Sequence, residues 1–180
     1  MTKELIESEP NEPGNYQALA RLYQDQGRTE EAEAMFIKAT EVRPQDPVGY
    51  QLLAAFYNTQ GEFDKTVAAF QKRADMEPNN PEAWHTMGTY YYEKALKDRR
   101  LTSAQAKAYV QRGLEVEDKA LSLNAEYYEA VTYKTLLLRL AATFERDQAA
   151  QKRLLAEAEV MSDKATALQK KQEGAAKKEE

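Results

Sequence analysis

Cysteine is absent from this chain of 180 residues, and histidine occurs once, at His85. The first absence excludes disulfides, thiolate metal sites and cysteine nucleophiles. The second leaves any metal site short of ligands. Glu82 and His85 share a helix face, which is half a site, and no second histidine or cysteine completes it. Gly-rich phosphate loops and nucleophile elbows are missing too. The residue inventory therefore predicts no catalytic, cofactor-binding or metal residues, and a chain that is not an enzyme. Apolar runs never approach the roughly 20 residues needed to cross a bilayer, so no membrane insertion is expected. The first residues, Met1 to Glu7, lack the uninterrupted apolar stretch of a signal peptide. That makes the cytoplasm the default compartment, with a bacterial envelope or periplasm the alternative if the chain is a fragment whose N-terminus has been lost.

Excess charge of one sign is confined to the first quarter. The net charge of −5 comes from residues 1–47, with five basic and ten acidic side chains. Residues 48–144 hold twelve of each sign and residues 145–180 eight of each. A nucleic-acid footprint would need a basic stripe with aromatic platforms, so nucleic acid is not an expected partner. Charged residues make up 31% of the chain, while the few glycines and prolines sit at regular boundaries. This is the profile of a nearly all-helical protein.

What the sequence has is a period of 34 residues. Tyr16, Tyr50 and Trp84 keep it, as do Leu19, Leu53 and Met87, and Ala20, Ala54 and Gly88. Tyr23, Tyr57 and Tyr91 follow, then Gly27 and Gly61, Phe36 and Phe70, Pro44 and Pro78. A fixed period of this length marks stacked units, each too small to bury its own apolar face. These residues resemble the tetratricopeptide repeat, with its aromatic, Leu-Gly/Ala, Tyr, small, aromatic, small and closing proline positions. The resemblance covers about two thirds of the chain. It implies an all-α fold, an α-solenoid of antiparallel helix pairs wound as a right-handed superhelix.

Six segments follow. Residues 1–12 hold the end of a preceding repeat. Repeat one is 13–46, with helices near 15–26 and 29–41, Gly27 in the turn and Thr29 as cap. Repeat two is 47–80, with helices near 48–59 and 62–76. It carries Thr66 and Arg73 where the family prefers small residues; Arg73 is expected to keep its head in water. Repeat three, 81–127, closes at Ala120 and is 13 residues over the period. Its extra length is helical, with Thr102 and Gln105 reading as a capping box after the turn at 98–101, so both helices lengthen into a projecting hairpin. The basic tip residues Lys97, Arg99 and Arg100 could meet an acidic partner. Residues 128–171 form a degenerate repeat with a C-terminal capping helix, and 172–180 a disordered tail. The stripe Leu154, Ala158, Met161, Ala165, Leu168 is expected to pack on a face made by Tyr133, Leu137, Leu140 and Phe144.

In that family the concave groove is lined from the first helix of each pair. The resemblance implies a groove of Gln17, Arg21, Gln24, Gln51, Ala55, Asn58, His85, Thr89 and Tyr92, with Thr132, Leu136 and Arg139 added by the degenerate unit. The lysines of the family's carboxylate-gripping members are missing. The aromatics at 16, 50, 84, 23, 57 and 91 occupy packing positions and are expected in the core, and His85 is expected in the open groove. The function implied is a non-catalytic scaffold whose groove receives a protein or peptide ligand, from a chain that is monomeric in isolation. The alternative is an assembly unit that self-associates through its C-terminal helix or neighbouring repeats.

Overall fold

A computed structural model describes residues 2–179, with side chains described for residues 4–174. Among the described residues there are nine helices and no strand: α1 (Thr2–Ser8), α2 (Pro13–Asp25), α3 (Thr29–Val42), α4 (Pro47–Thr59), α5 (Phe63–Met76), α6 (Pro81–Lys97), α7 (Ser103–Leu123), α8 (Tyr128–Phe144) and α9 (Gln148–Glu179). The fold is all-α and of the helical-solenoid class. The chain divides into two compact units, Met1–Pro78 with α1 to α5 and Asn79–Glu180 with α6 to α9.

The period is written into the helix ends. Pro13, Pro47 and Pro81 each open a helix, where a missing N–H costs nothing. The residue before each one caps it: Glu12 accepts from Gly14 N, Asp46 from Val48 N and Asn80 from Glu82 N. Between the helices of the first two pairs, Gly27 and Gly61 stand at φ 70° and 74°, a conformation that L side chains avoid. Thr29 is the first residue of α3 and not its cap. Arg28 precedes the helix with no side-chain cap bond. Its guanidinium is used elsewhere, pairing with Glu31 and lying 4.3 Å over the Tyr23 ring.

In the first unit α2 packs on α3 and α4 on α5, with the core made by Tyr16, Leu19, Tyr23, Phe36, Leu53, Phe56, Tyr57 and Phe70. Thr66 fits its small-residue position, fully buried with its hydroxyl bonded to the Glu62 carbonyl. Arg73 departs from expectation. It is 7% exposed, and its Nε donates to Glu77 Oε2 at 2.9 Å, one turn along the helix. The carboxylate at the helix end stands in for the water its head was expected to reach.

The second unit is built on the long α6–α7 hairpin. Both halves of the capping box form: Gln105 N donates to Thr102 Oγ1 and Thr102 N to Gln105 Oε1. Asp98 closes the turn by accepting from Lys94 Nζ, Arg100 N and the Arg100 guanidinium. These bonds, Arg100 foremost, hold its carboxyl far below the usual carboxylate range. The hairpin is covered along its length by α8. Ala95, Val110 and Leu137 form a dry centre, with Tyr109, Leu140 and Phe144 around it, and Lys107 reaches Glu145 at 3.2 Å.

The Leu137–Leu140–Phe144 face of α8 is thus spent on the hairpin, and α9 lies along a different side of α8. There Ala158 and Leu168 are buried, Gln151 donates to the Ala142 carbonyl, and Lys134 pairs with Glu157 at 3.3 Å. Burial opposes the charge on Lys134, but Asp118 and Glu157 outweigh it and raise its pKa. Continuous helix reaches Glu179, where the sequence predicts a tail from residue 172; Glu180 lies outside the described residues. Alanine, lysine and glutamate around Gly174 are good helix formers, so nothing local stops the helix.

Candidate partner-binding faces

The twelve groove positions divide equally between the two units, and the structure treats them differently. In the first unit a cleft of about 210 Å³ opens between α2 and α4. Arg21 and Gln24 line it from α2, Leu52, Ala55, Phe56 and Thr59 from α4, and Phe36 from α3. The Phe36 and Phe56 rings, 5.2 Å apart, belong to the core beneath it. At its edge Gln24 Nε2 donates to Thr59 Oγ1 at 3.3 Å. Arg21 is exposed. Gln51 and Asn58 are exposed and Gln17 is half-buried, and none of the three lines this cleft.

Farther along α4, Tyr57 Oη donates to Glu33 Oε1 at 2.9 Å, and Lys65 Nζ donates to the same oxygen at 3.0 Å. Burial, reinforced by the Glu33 bond, pushes the Tyr57 phenol up to about 12. The Lys65 bond, helped by Tyr57, holds the Glu33 carboxyl below its ordinary value against partial burial. This triad ties α3, α4 and α5 together.

In the second unit Thr132, Leu136 and Arg139 come together in a cleft of about 170 Å³, but α9 supplies its opposite wall through Ser162, Ala165, Thr166 and Gln169. Arg139 Nη2 lies 3.5 Å from Ser162 Oγ and 4.0 Å from Glu159. Its hydroxyls are largely committed: Thr132, Thr135 and Thr166 donate to carbonyls one turn back. Thr89 does the same towards Thr86. Tyr92 is half-buried, edge-on to Tyr133 with centroids 5.7 Å apart, and packs on the Ala95–Val110–Leu137 cluster.

His85 is not an open groove residue. It is 8% exposed, and its Nδ1 lies 3.0 and 3.1 Å from the two carboxylate oxygens of Glu117 on α7. Edges and faces of Tyr127 and Tyr133 close over the ring at 5.4 and 5.2 Å. Glu117 is fully buried, and burial pushes its carboxyl up to about 7 against the opposing bond from His85. The sequence pairing of His85 with Glu82 missed this partner. A signal was present: three residues before Ala39 and Arg73 stand Phe36 and Phe70, and three before Ala120 stands Glu117. The repeat that closes at Ala120 puts a carboxylate where the others put a phenyl ring.

Among the described residues, no group of three His, Cys, Asp or Glu could hold a metal ion, and no helix is long and apolar enough to cross a membrane. Residues 2–56 match the tetratricopeptide repeat family. No curated protein matches the chain. Among solved structures, the crystal structure of MamA is similar, with a TM-score of 0.63 and 16% identity, covering 96% of this chain and 87% of that one. MamA 41-end from Desulfovibrio magneticus RS-1 gives a TM-score of 0.60 and 16% identity, covering 95% and 83%. At this identity the likeness shows the fold alone.

Proposed function

We propose that this chain, a tetratricopeptide-repeat protein, is a non-catalytic scaffold that holds a partner peptide or helix against the exposed faces of its first-of-pair helices. The observation that carries the reading is the α2–α4 cleft. It combines apolar walls from Leu52, Phe56 and Phe36 with polar groups from Arg21, Gln24 and Thr59. Apolar contact with a few placed polar groups is what fixes a bound segment in one register. Arg21, Gln24 and Ala55 are the first contacts. Gln17, Gln51 and Asn58 extend the face along the same helices, and Thr132, Leu136 and Arg139 offer a second face on α8. His85 and Tyr92 serve packing in place of contact.

Self-association through α9 is the weaker reading. The stripe that would form a seam is already used, with Ala158 and Leu168 buried in this chain, and the exposed large apolar residues of α9 are Leu155 and Val160, beside the stripe. So little apolar area holds a helix dimer only weakly, and a monomer in dilute solution is the expected state.

The test is retention of binding partners by the intact protein and by an Arg21→Ala, Ala55→Glu double variant. A partner held by the first and released by the second, and whose isolated segment titrates with the same difference, supports the reading. Binding indifferent to both changes moves the site off this cleft.

A further inference from the structure

The His85–Glu117 pair is not needed for the scaffold role, and packing alone does not account for it. Glu117 stands at the repeat position of Phe36 and Phe70 in the first two pairs, and has no exposed surface. A buried ion or carboxyl pair usually stabilises no better than apolar residues of similar volume, because desolvation offsets the attraction. Room has nonetheless been made for it. Position 88, in phase with Ala20 and Ala54, is glycine, and a Cβ there would stand 2.6 Å from the Glu117 carboxyl carbon.

We propose that His85 and Glu117 form a proton-dependent latch that closes α6 on α7 beneath the tyrosine rings contributed from the α8 side. While the pair holds a proton, the imidazole–carboxyl bond joins the two helices and no net charge is buried. When that proton leaves, the pair carries a net negative charge with almost no exposed surface to solvate it, and a single N–H···O bond is left to offset the cost, so the junction loosens.

The groups around the pair favour this sign. From the α8 side it meets the rings of Tyr127 and Tyr133. Asp118, adjacent on α7, adds negative charge that favours the protonated carboxyl, although Lys134 of α8 binds it at 2.7 Å. Tyr92 on α6 rests on Tyr133, so loosening reaches that face of α6 and α8. The Glu117 carboxyl is pushed up to about 7 from an ordinary 4.5. A group raised on folding stabilises fully below its unfolded value and loses that contribution as pH climbs to its folded value. The latch is therefore closed at pH 4.5, opens progressively to about 7, and changes little above.

Hydrogen exchange on the full chain between pH 5 and 8 tests this, with amides of α2–α4 in the same sample as reference. The local opening constant of α6 and α8 should rise on the order of a hundredfold relative to α2–α4, and the rise should vanish in Glu117→Gln. A flat ratio in the wild type, or the same rise in Glu117→Gln, overturns the proposal. Should Glu117→Gln fail to fold, Glu117→Met carries the comparison, and a flat wild-type ratio still overturns it.

Discussion

Gly88 and Glu117 fit each other across α6 and α7: a methyl added to Gly88 would stand 2.6 Å from the Glu117 carboxyl carbon and 3.0 Å from its Cγ. Those distances are well inside van der Waals contact, and Glu117 has no exposed surface into which to retreat.

Gly88→Ala should therefore destabilise the protein by about 1–3 kcal/mol, as overpacking does, although alanine stands at the in-phase positions 20 and 54. Urea unfolding checks it. Gly14→Ala is the control: its nearest obstacle is Glu12 Oε1 at 3.4 Å, an ordinary contact on an exposed helix turn. That change should be neutral or stabilise by about 0.4–1 kcal/mol. Equal midpoints for the two variants would mean that Glu117 moves aside freely.

The Tyr57–Glu33–Lys65 triad makes a separable prediction in the first unit. The Tyr57 phenol, pushed up to about 12 by burial and by the Glu33 acceptor, keeps its proton well beyond the range of an ordinary tyrosine. The folded value is raised, so the associated stability is complete below about pH 10 and is lost between 10 and 12. Glu33→Gln should lower the Tyr57 ionisation midpoint, read as the ultraviolet difference against Tyr57→Phe. Tyr57→Phe should itself cost about 1 kcal/mol, the net worth of one hydrogen bond. A Tyr57 midpoint unchanged by Glu33→Gln would leave burial as the only cause.

Helix positions were legible because the period repeats backbone punctuation. Pro13, Pro47, Pro81, Gly27 and Gly61 act locally, and the Thr102–Gln105 box needs only its own turn. Side-chain roles in the long third pair were not legible by analogy with the first two. There the enlarged α7 carries Glu117 into an aromatic slot, and His85 turns inward to meet it. The sequence pattern points α9 to the wrong side of α8 because α8 carries side chains that pack on more than one face: Leu137 and Leu140 meet the hairpin, while Thr135 and Leu136 face α9. Periodicity finds an apolar stripe but does not say which neighbour claims it. The division of groove positions between an open cleft and a walled one depends on α9, which lies outside the period altogether.

Trp84 shows the same limit. Its place in the period predicts a core aromatic, worth about 3–5 kcal/mol on truncation. Tyr16, Tyr23, Tyr57 and Tyr91 are buried as expected, but Trp84 and Tyr50 are only half-buried. The Lys119 ammonium lies 5.7 Å from the centre of the indole, a partly wet cation–π contact. Trp84→Ala should then cost nearer to about 2 kcal/mol, and Lys119→Ala at most about 1. Denaturant midpoints decide; a loss of about 4 kcal/mol for Trp84→Ala would restore the core assignment.

Removing residues after 147 tests what α9 contributes. The deletion strips the cover from the side of α8 marked by Thr135, Leu136 and Ala142, and takes Glu157 away from Lys134. It also removes the burial of Ala158 and Leu168. A fully buried leucine alone is worth about 1.5–3 kcal/mol, and partial burial of Leu154 and Met161 adds to it. The second unit should lose on the order of 3–5 kcal/mol, and the newly bared side of α8 should drive aggregation. Light scattering and urea unfolding of the intact and shortened chains measure both effects. The opposite pattern, a stable dimer for the intact chain and a well-behaved monomer after deletion, would make α9 a seam between copies. In that case Leu155 and Val160, exposed in the single chain at 46% and 62%, would be the residues buried in the pair.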